Sequence, residues 1–151
     1  MAGPHISSEE ETRERTSGWI ASLAERGYRI TGSRRAVVDV LAEAGTSLSP
    51  AEIYEQGRAV HKQLGLVTVY RTLEKLEELG LVQRVHRHDG CHAYIPALRG
   101  HEHLLLCEQC GRVEYFRGDD LSELSRRLEG ESGFTIHDHW LQFFGLCSQC
   151  Q

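Results

Sequence analysis

The chain has 151 residues, room for one or two small domains with a real core and too few for most multidomain enzymes. Apolar residues make up 40% and charged residues 26%, a balance that excludes disorder and fits a soluble fold. The net charge of −5, with no basic tail, argues against bulk attraction to nucleic acid but leaves room for one small basic face. The longest strongly apolar run, ending at Leu106, is three residues, so no membrane span or membrane partner is expected. Glu9, Glu10 and Glu11 stand where a signal peptide would be apolar, so a cytoplasmic location is expected. Histidine and cysteine are unevenly placed: residues 86–151 hold seven of nine His and all five Cys.

In chain order, residues 8–26 are polar with Trp19, Ile20 and Leu23 at helical spacing, which predicts an amphipathic helix ending at Gly27. Residues 28–31 connect it to a second helix carrying Ala36, Val37, Val40 and Leu41 and stopping near Gly45. Arg26, Arg29, Arg34 and Arg35 cluster here; on charge alone they read as a solvated helix face. Ser49-Pro50-Ala51-Glu52 is a capping box with proline in the first turn, so a third helix starts there. It carries Ile53, Tyr54 and Val60. A fourth helix is expected to be capped by Thr68, to bury Val69, Leu73 and Leu76, and to stop at Gly80. Its first turn would expose Tyr70 and Arg71.

Residues 81–86 and 91–95 then read as two strands around Asp89-Gly90, a hairpin signal. Three helices followed by a hairpin describe a winged helix-turn-helix, whose last helix enters the DNA major groove by its N-terminal residues. The same pattern also fits a small helical domain with no nucleic-acid role.

Cys107-x-x-Cys110-Gly111 and Cys147-x-x-Cys150 have the spacing of two metal knuckles, together a closed tetrahedral thiolate site for structural Zn2+. Disulfides are disfavoured in a reducing compartment. A redox C-x-x-C pair would need a thioredoxin-like context that is missing. Residues 112–116 read as a strand and 119–128 as a short helix with Leu121, Leu124 and Leu128. Residues 134–146 read as one long strand. The exposed edge of such a sheet could pair with a second copy, so a homodimer is expected.

Cys91 is left over, close to His86, His88 and His92, with His101-Glu102-His103 downstream. Across the hairpin His88 is expected to face Cys91, while His101 and His103, two apart before a strand, can converge. A mixed Cys/His site suits Zn2+ and can also hold Fe2+, Ni2+ or Co2+. His139, with Glu123 and Glu102 or His137, is a candidate additional site.

These motifs together resemble the ferric uptake regulator superfamily of metal-dependent repressors, over essentially the whole chain. The matching stretches are Tyr28-Arg29-Ile30-Thr31 with Arg34-Arg35, Val67 through Leu73, His101-Glu102-His103 and the two C-x-x-C pairs. The resemblance implies an α+β chain: an N-terminal winged helix-turn-helix domain, then a small α/β dimerisation domain with a four-cysteine zinc site. The expected division is residues 1–96, a hinge at 97–102, and residues 103–151. It further implies a homodimer binding palindromic AT-rich double-stranded operator DNA when metal is bound.

Tyr70 and Arg71 match major-groove contacts, with Thr68 at the start of that helix, and Arg29 a minor-groove contact. Cys107, Cys110, Cys147 and Cys150 match the structural zinc ligands. His101 and His103 match regulatory ligands, and His139 a ligand of the additional site. The chain departs from the family pattern at Ile95, Pro96 and Ala97, where a carboxylate or Cys is common, at Leu48 in place of a His, and by one residue inserted between His103 and Cys107. Cys91 with His86 or His88 is the expected substitute, which favours zinc over iron, manganese or peroxide sensing.

Outside that class, a zinc metalloenzyme would need an open coordination position and a general base; no H-E-x-x-H or comparable motif is present. A zinc-ribbon module binding only protein is a further rival.

Overall fold

The structure, a computed structural model, describes residues 9–87, 89–98, 100, 102–118 and 121–151. His88 and His101 lie outside the described residues. Four helices come first: α1 (Glu9–Glu25), α2 (Gly32–Glu43), α3 (Pro50–Val60) and α4 (Leu66–Glu78). Strands β1 (Val82–His86) and β2 (His92–Pro96) form an antiparallel hairpin. Then come β3 (Glu102–Cys107), β4 (Val113–Arg117), α5 (Ser122–Ser132) and β5 (Gln142–Gly145). The second sheet has the order β4-β3-β5, with β3 antiparallel to β4 and parallel to β5. Among the described residues no helix is long and apolar enough to cross a membrane. The α+β architecture, a winged helix-turn-helix followed by a small sheet with a four-cysteine cluster, is the one expected.

Local chemistry explains most of the helix ends. The Thr31 side chain caps α2 by accepting from the Arg34 N–H. Ser49 and Glu52 form the reciprocal capping box of α3, with Pro50 in its first turn. The main correction concerns α4. Its N-cap is Gly65 with no side-chain cap, so Thr68 lies inside the first turn, where its carbonyl accepts from the Thr72 hydroxyl (2.7 Å). A helix can begin on backbone groups alone when packing fixes it, and Val69, Leu73 and Leu76 are all buried at helical spacing.

Two clusters make the interior. Trp19, Leu23, Val37, Val38, Leu41, Leu48, Ile53, Leu64, Val69, Leu73 and Leu76 join Val82 and Tyr94 of the hairpin in the larger one. Val60, at the end of α3, is 82% exposed, while Leu64 just beyond the helix is buried. The smaller cluster is Val85, Ala93 and Ile95 with Leu104 of β3. Alternation along β1 and β2 therefore gives the hairpin two apolar faces, one on the helices and one on the second sheet.

Two predicted elements change in extent. The expected strand over residues 134–146 is regular only at Gln142–Gly145. Residues 134–141 belong to no strand ladder among the described residues, apart from Leu141 O accepting from Leu104 N–H (3.2 Å). Ile136 N–H is held instead by the Glu129 carboxylate (2.7 Å). Alternation of Ile136, Asp138 and Trp140 predicts a strand only where a neighbour supplies hydrogen bonds. The expected helix over residues 119–128 is Ser122–Ser132, ended by Gly133 at φ +73. It buries none of its residues, and Leu124 and Leu128 are exposed.

Candidate metal centre and nucleic-acid interface

The four thiols converge. The sulfur atoms of Cys107, Cys110, Cys147 and Cys150 all lie within 4.8 Å of one another, the one group of three or more such ligands among the described residues. Each pair sits on a tight turn, and Gly111 supplies the positive φ (+72) that the first turn needs after Cys110. Cys147 N–H points at Cys107 Sγ (3.4 Å), and Cys110 Sγ lies 3.7 Å from Cys147 Sγ. Backbone N–H groups of Cys110 and Cys147 pull the Cys107 thiol down to about 6. Hydrogen bonding to Cys147, with burial and the other sulfurs, pushes Cys150 up to about 12. Four thiols that cannot all ionise beside one another fit a divalent soft cation at their centre.

The cluster is fastened to the first half of the chain. Ser47 N–H donates to Gly111 O (3.0 Å), and Thr46 and Arg112 form an antiparallel bridge. Arg87, just beyond β1, donates to the Ser47 hydroxyl and carbonyl and pairs with Glu52 (2.9 Å). Burial pushes the Glu52 carboxyl up, but Ser49 and Arg87 outweigh it and hold it below the ordinary carboxylate value. No sequence motif announced this link, since its members lie 35 and 40 positions apart.

His103 lies within β3, not before it, and is only 2% exposed. Its neighbour Leu104 packs on the hairpin, so alternation turns His103 to the other face of the sheet. There it meets Phe116 (ring centroids 5.3 Å) and His139 (5.4 Å). His103 Nε2 is buried with no hydrogen-bond partner among the described residues, which is costly unless something binds it. The fold thus sets His139, the expected centre of a separate site with Glu123 and Glu102, beside His103. Glu102 and His139 line a neighbouring cleft of about 410 Å³ with Gln83, Asp138 and Trp140. Glu123 is exposed in the first turn of α5.

The wing departs from expectation. Arg87 N–H donates to Cys91 O (3.0 Å), so Cys91 stands opposite Arg87 rather than His88. The turn is one residue out because Gly90 N–H closes back on Arg87 O (3.0 Å) and Asp89 accepts from Cys91 N–H (2.9 Å). His86 pairs in register with His92. Cys91 and His103 share no cluster of three or more metal-ligating side chains among the described residues.

In the helical half, Tyr70 (54% exposed) and Arg71 project from the first turns of α4, while Val69 and Leu73 anchor the helix from behind. Arg29 is exposed in the connector before α2. Its carbonyl accepts from Arg34, whose guanidinium lies 5.8 Å from the Tyr28 ring centre; Lys75 of α4 lies 5.7 Å from the same ring. Tyr28 thus ties the connector to α4, a role that its place in the motif did not reveal.

Comparison with known proteins gives a consistent result. The model of the ferric uptake regulator family matches residues 25–144. The ferric uptake regulation protein of Bacillus subtilis is 36% identical over 132 residues, covering 85% of this chain and 89% of that protein. The peroxide-responsive repressor PerR of Staphylococcus aureus is 29% identical over 132 residues, covering 87% and 88%. Among solved structures, the Helicobacter pylori ferric uptake regulator, described as having three functional metal binding sites, superposes with a TM-score of 0.68 at 25% identity. It covers 96% of this chain and 95% of its own.

Proposed function

We propose, from the premise that this chain belongs to the ferric uptake regulator family, that it represses metal-uptake genes by binding operator DNA as a metal-loaded homodimer, with zinc as the sensed ion. Members of this family are metal-responsive transcription regulators, not enzymes. The observation that carries the sensing role is the buried Nε2 of His103, without a partner among the described residues, beside the His139 ring in a sheet packed directly against the wing.

The four-cysteine cluster is assigned to structural Zn2+, which supplies folding free energy to the C-terminal half. The sensing set is His103 with His139, and His101 on its sequence position alone. Glu102, which alternation puts on the Leu104 side of β3 and which pairs with Arg117, and Glu123 are outer candidates. Cys91, exposed on the wing, shares no group of three or more such ligands with His103 among the described residues and is left outside this set. Imidazole ligands suit Zn2+ or Fe2+ better than Mn2+, and a given site binds Zn2+ more tightly than Fe2+. Iron is the second reading, favoured by the Bacillus subtilis relative's name.

We place the hinge at residues 97–102, between the DNA-binding residues 1–96 and the dimerisation residues 103–151. In that arrangement Tyr70 and Arg71 enter the major groove, Thr68 supports them in the first turn of α4, and Arg29 reaches the adjacent minor groove. The dimer surface is the open edge of the sheet at β5, where Phe143 and Phe144 project to either side, together with the exposed Trp140, Leu124 and Leu128. Loading the sensing site selects one hinge angle and so one spacing of the two α4 helices. A shift from 1:99 to 99:1 needs about 5.5 kcal/mol of differential affinity.

Tyr70→Ala and Arg71→Ala should each cost about 1–3 kcal/mol of operator binding while fold and zinc content stay unchanged; unaltered operator affinity would remove the DNA-binding role. Operator occupancy in cells starved of one metal at a time separates the two ions. Loss on zinc depletion supports the zinc reading, and loss only on iron depletion replaces it with iron.

A further inference from the structure

We propose that His86 and His92 form a separate two-imidazole site on the wing hairpin for a borderline divalent cation: Zn2+, Co2+, Ni2+ or Cu2+. The two residues are directly opposite in the β1–β2 register, and their ring centroids are 5.0 Å apart. The Arg87–Cys91 hydrogen bond makes the adjacent pair a hydrogen-bonded one, so His86 and His92 occupy a non-hydrogen-bonded position, where opposed side chains come closest.

The spacing fits chelation. With metal–nitrogen bonds of about 2.0–2.1 Å, two imidazoles on one tetrahedral ion have centroids roughly 5 Å apart. Both residues are exposed, so water can complete the coordination shell. Their backbones are held in place, since Val85 and Ala93, the next pair inward, are fully buried. The nearest cation on the same face, Arg84, is paired with Glu77 (2.8 Å), which reduces its repulsion of an incoming ion.

This site is independent of the sensing set. Val85 and Ala93 pack towards Leu104 of the second sheet, so their neighbours His86 and His92 face the other way. The wing is nevertheless tied to that sheet, because the Gln142 amide of β5 donates to His86 O (3.2 Å). An ion held by both rings would cross-link the two strands near the hairpin tip.

The test uses the full-length, zinc-loaded dimer titrated with Cu2+ or Co2+. Calorimetry gives stoichiometry, and paramagnetic resonance counts nitrogen ligands on copper. Losing even an outer-shell partner costs about 10–100-fold in metal affinity. His86→Gln and His92→Gln should therefore each weaken one binding event at least about tenfold and remove its two-nitrogen signature. His103→Ala and Cys91→Ala should leave that event intact. Both Gln variants lie on the surface and should fold. If His92→Gln binds with unchanged stoichiometry and affinity, the pair is only a stacked surface contact and the proposal fails. The sensing reading is judged separately, by the effect of His103→Ala on operator binding.

Discussion

The two halves of this chain reach stability by different means. Residues 19–94 enclose a core in which Leu23, Val37, Leu41, Ile53, Val69 and Leu76 are fully buried. The β4-β3-β5 sheet and α5 bury little beyond His103, Leu104, Leu106 and Cys107, and leave Phe134, Trp140, Phe143, Phe144 and Leu146 at 47–74% exposure. On the proposed reading the first half folds on apolar burial, whereas the second draws its stability from a metal among its sulfurs and a second copy over its aromatics, so its folding and assembly respond to metal.

The sharpest way to break that contrast is Cys107→Ser. Zinc in comparable thiolate sites contributes apparent binding free energies of about 10–16 kcal/mol. The variant should lose zinc, dissociate and lose amide protection across residues 102–151, while the circular dichroism of α1–α4 survives. A stable metal-free dimer would erase the distinction. Leu73→Ala is the mirror experiment. It should destabilise the helical half by about 2–5 kcal/mol in denaturant unfolding, with zinc content unchanged.

Phe144→Ala probes the assembly term. A central aromatic at an interface is worth about 2 kcal/mol or more, so sedimentation should show a weaker dimer of otherwise folded, zinc-loaded chains. An unaltered dimer would move the interface elsewhere.

The smallest expected effect concerns the link between the halves. The folded Glu52 carboxyl is held below its ordinary value. Its pairing with Arg87 therefore contributes stability above the unfolded pKa of about 4.3. That contribution is lost as pH falls through the lower folded value. For so exposed a pair it is at most about 1 kcal/mol. Glu52→Gln should lower the melting temperature slightly at neutral pH, and the gap should close in acid; a gap constant with pH would assign it to packing instead.

Much of this was legible in the sequence because it depends on neighbours in the chain. The Ser49–Glu52 box, the buried stripe of α4, the exposed Tyr70 and Arg71 and the two C-x-x-C knuckles are all local patterns. What the sequence hid depends on register and on distant partners. Thr68 looked like a cap because its residue type suits one, yet Gly65 begins the helix. A one-residue difference in the turn moved Cys91 from His88 to Arg87 and matched His86 with His92. The alternation at residues 134–141 has no strand to pair with among the described residues. His139 could be placed beside His103 only after β5 had docked parallel to β3.

The central claim is that occupancy of the site at His103 sets the operator affinity of α4 in the other half of the chain. The direct measurement is operator binding by fluorescence anisotropy on dimer that keeps its four-cysteine zinc, with and without a further equivalent of zinc. Affinity should rise with the added ion, and His103→Ala should abolish the rise while leaving the affinity without added zinc in place. Equal affinity in both conditions for the unmodified chain would contradict the account.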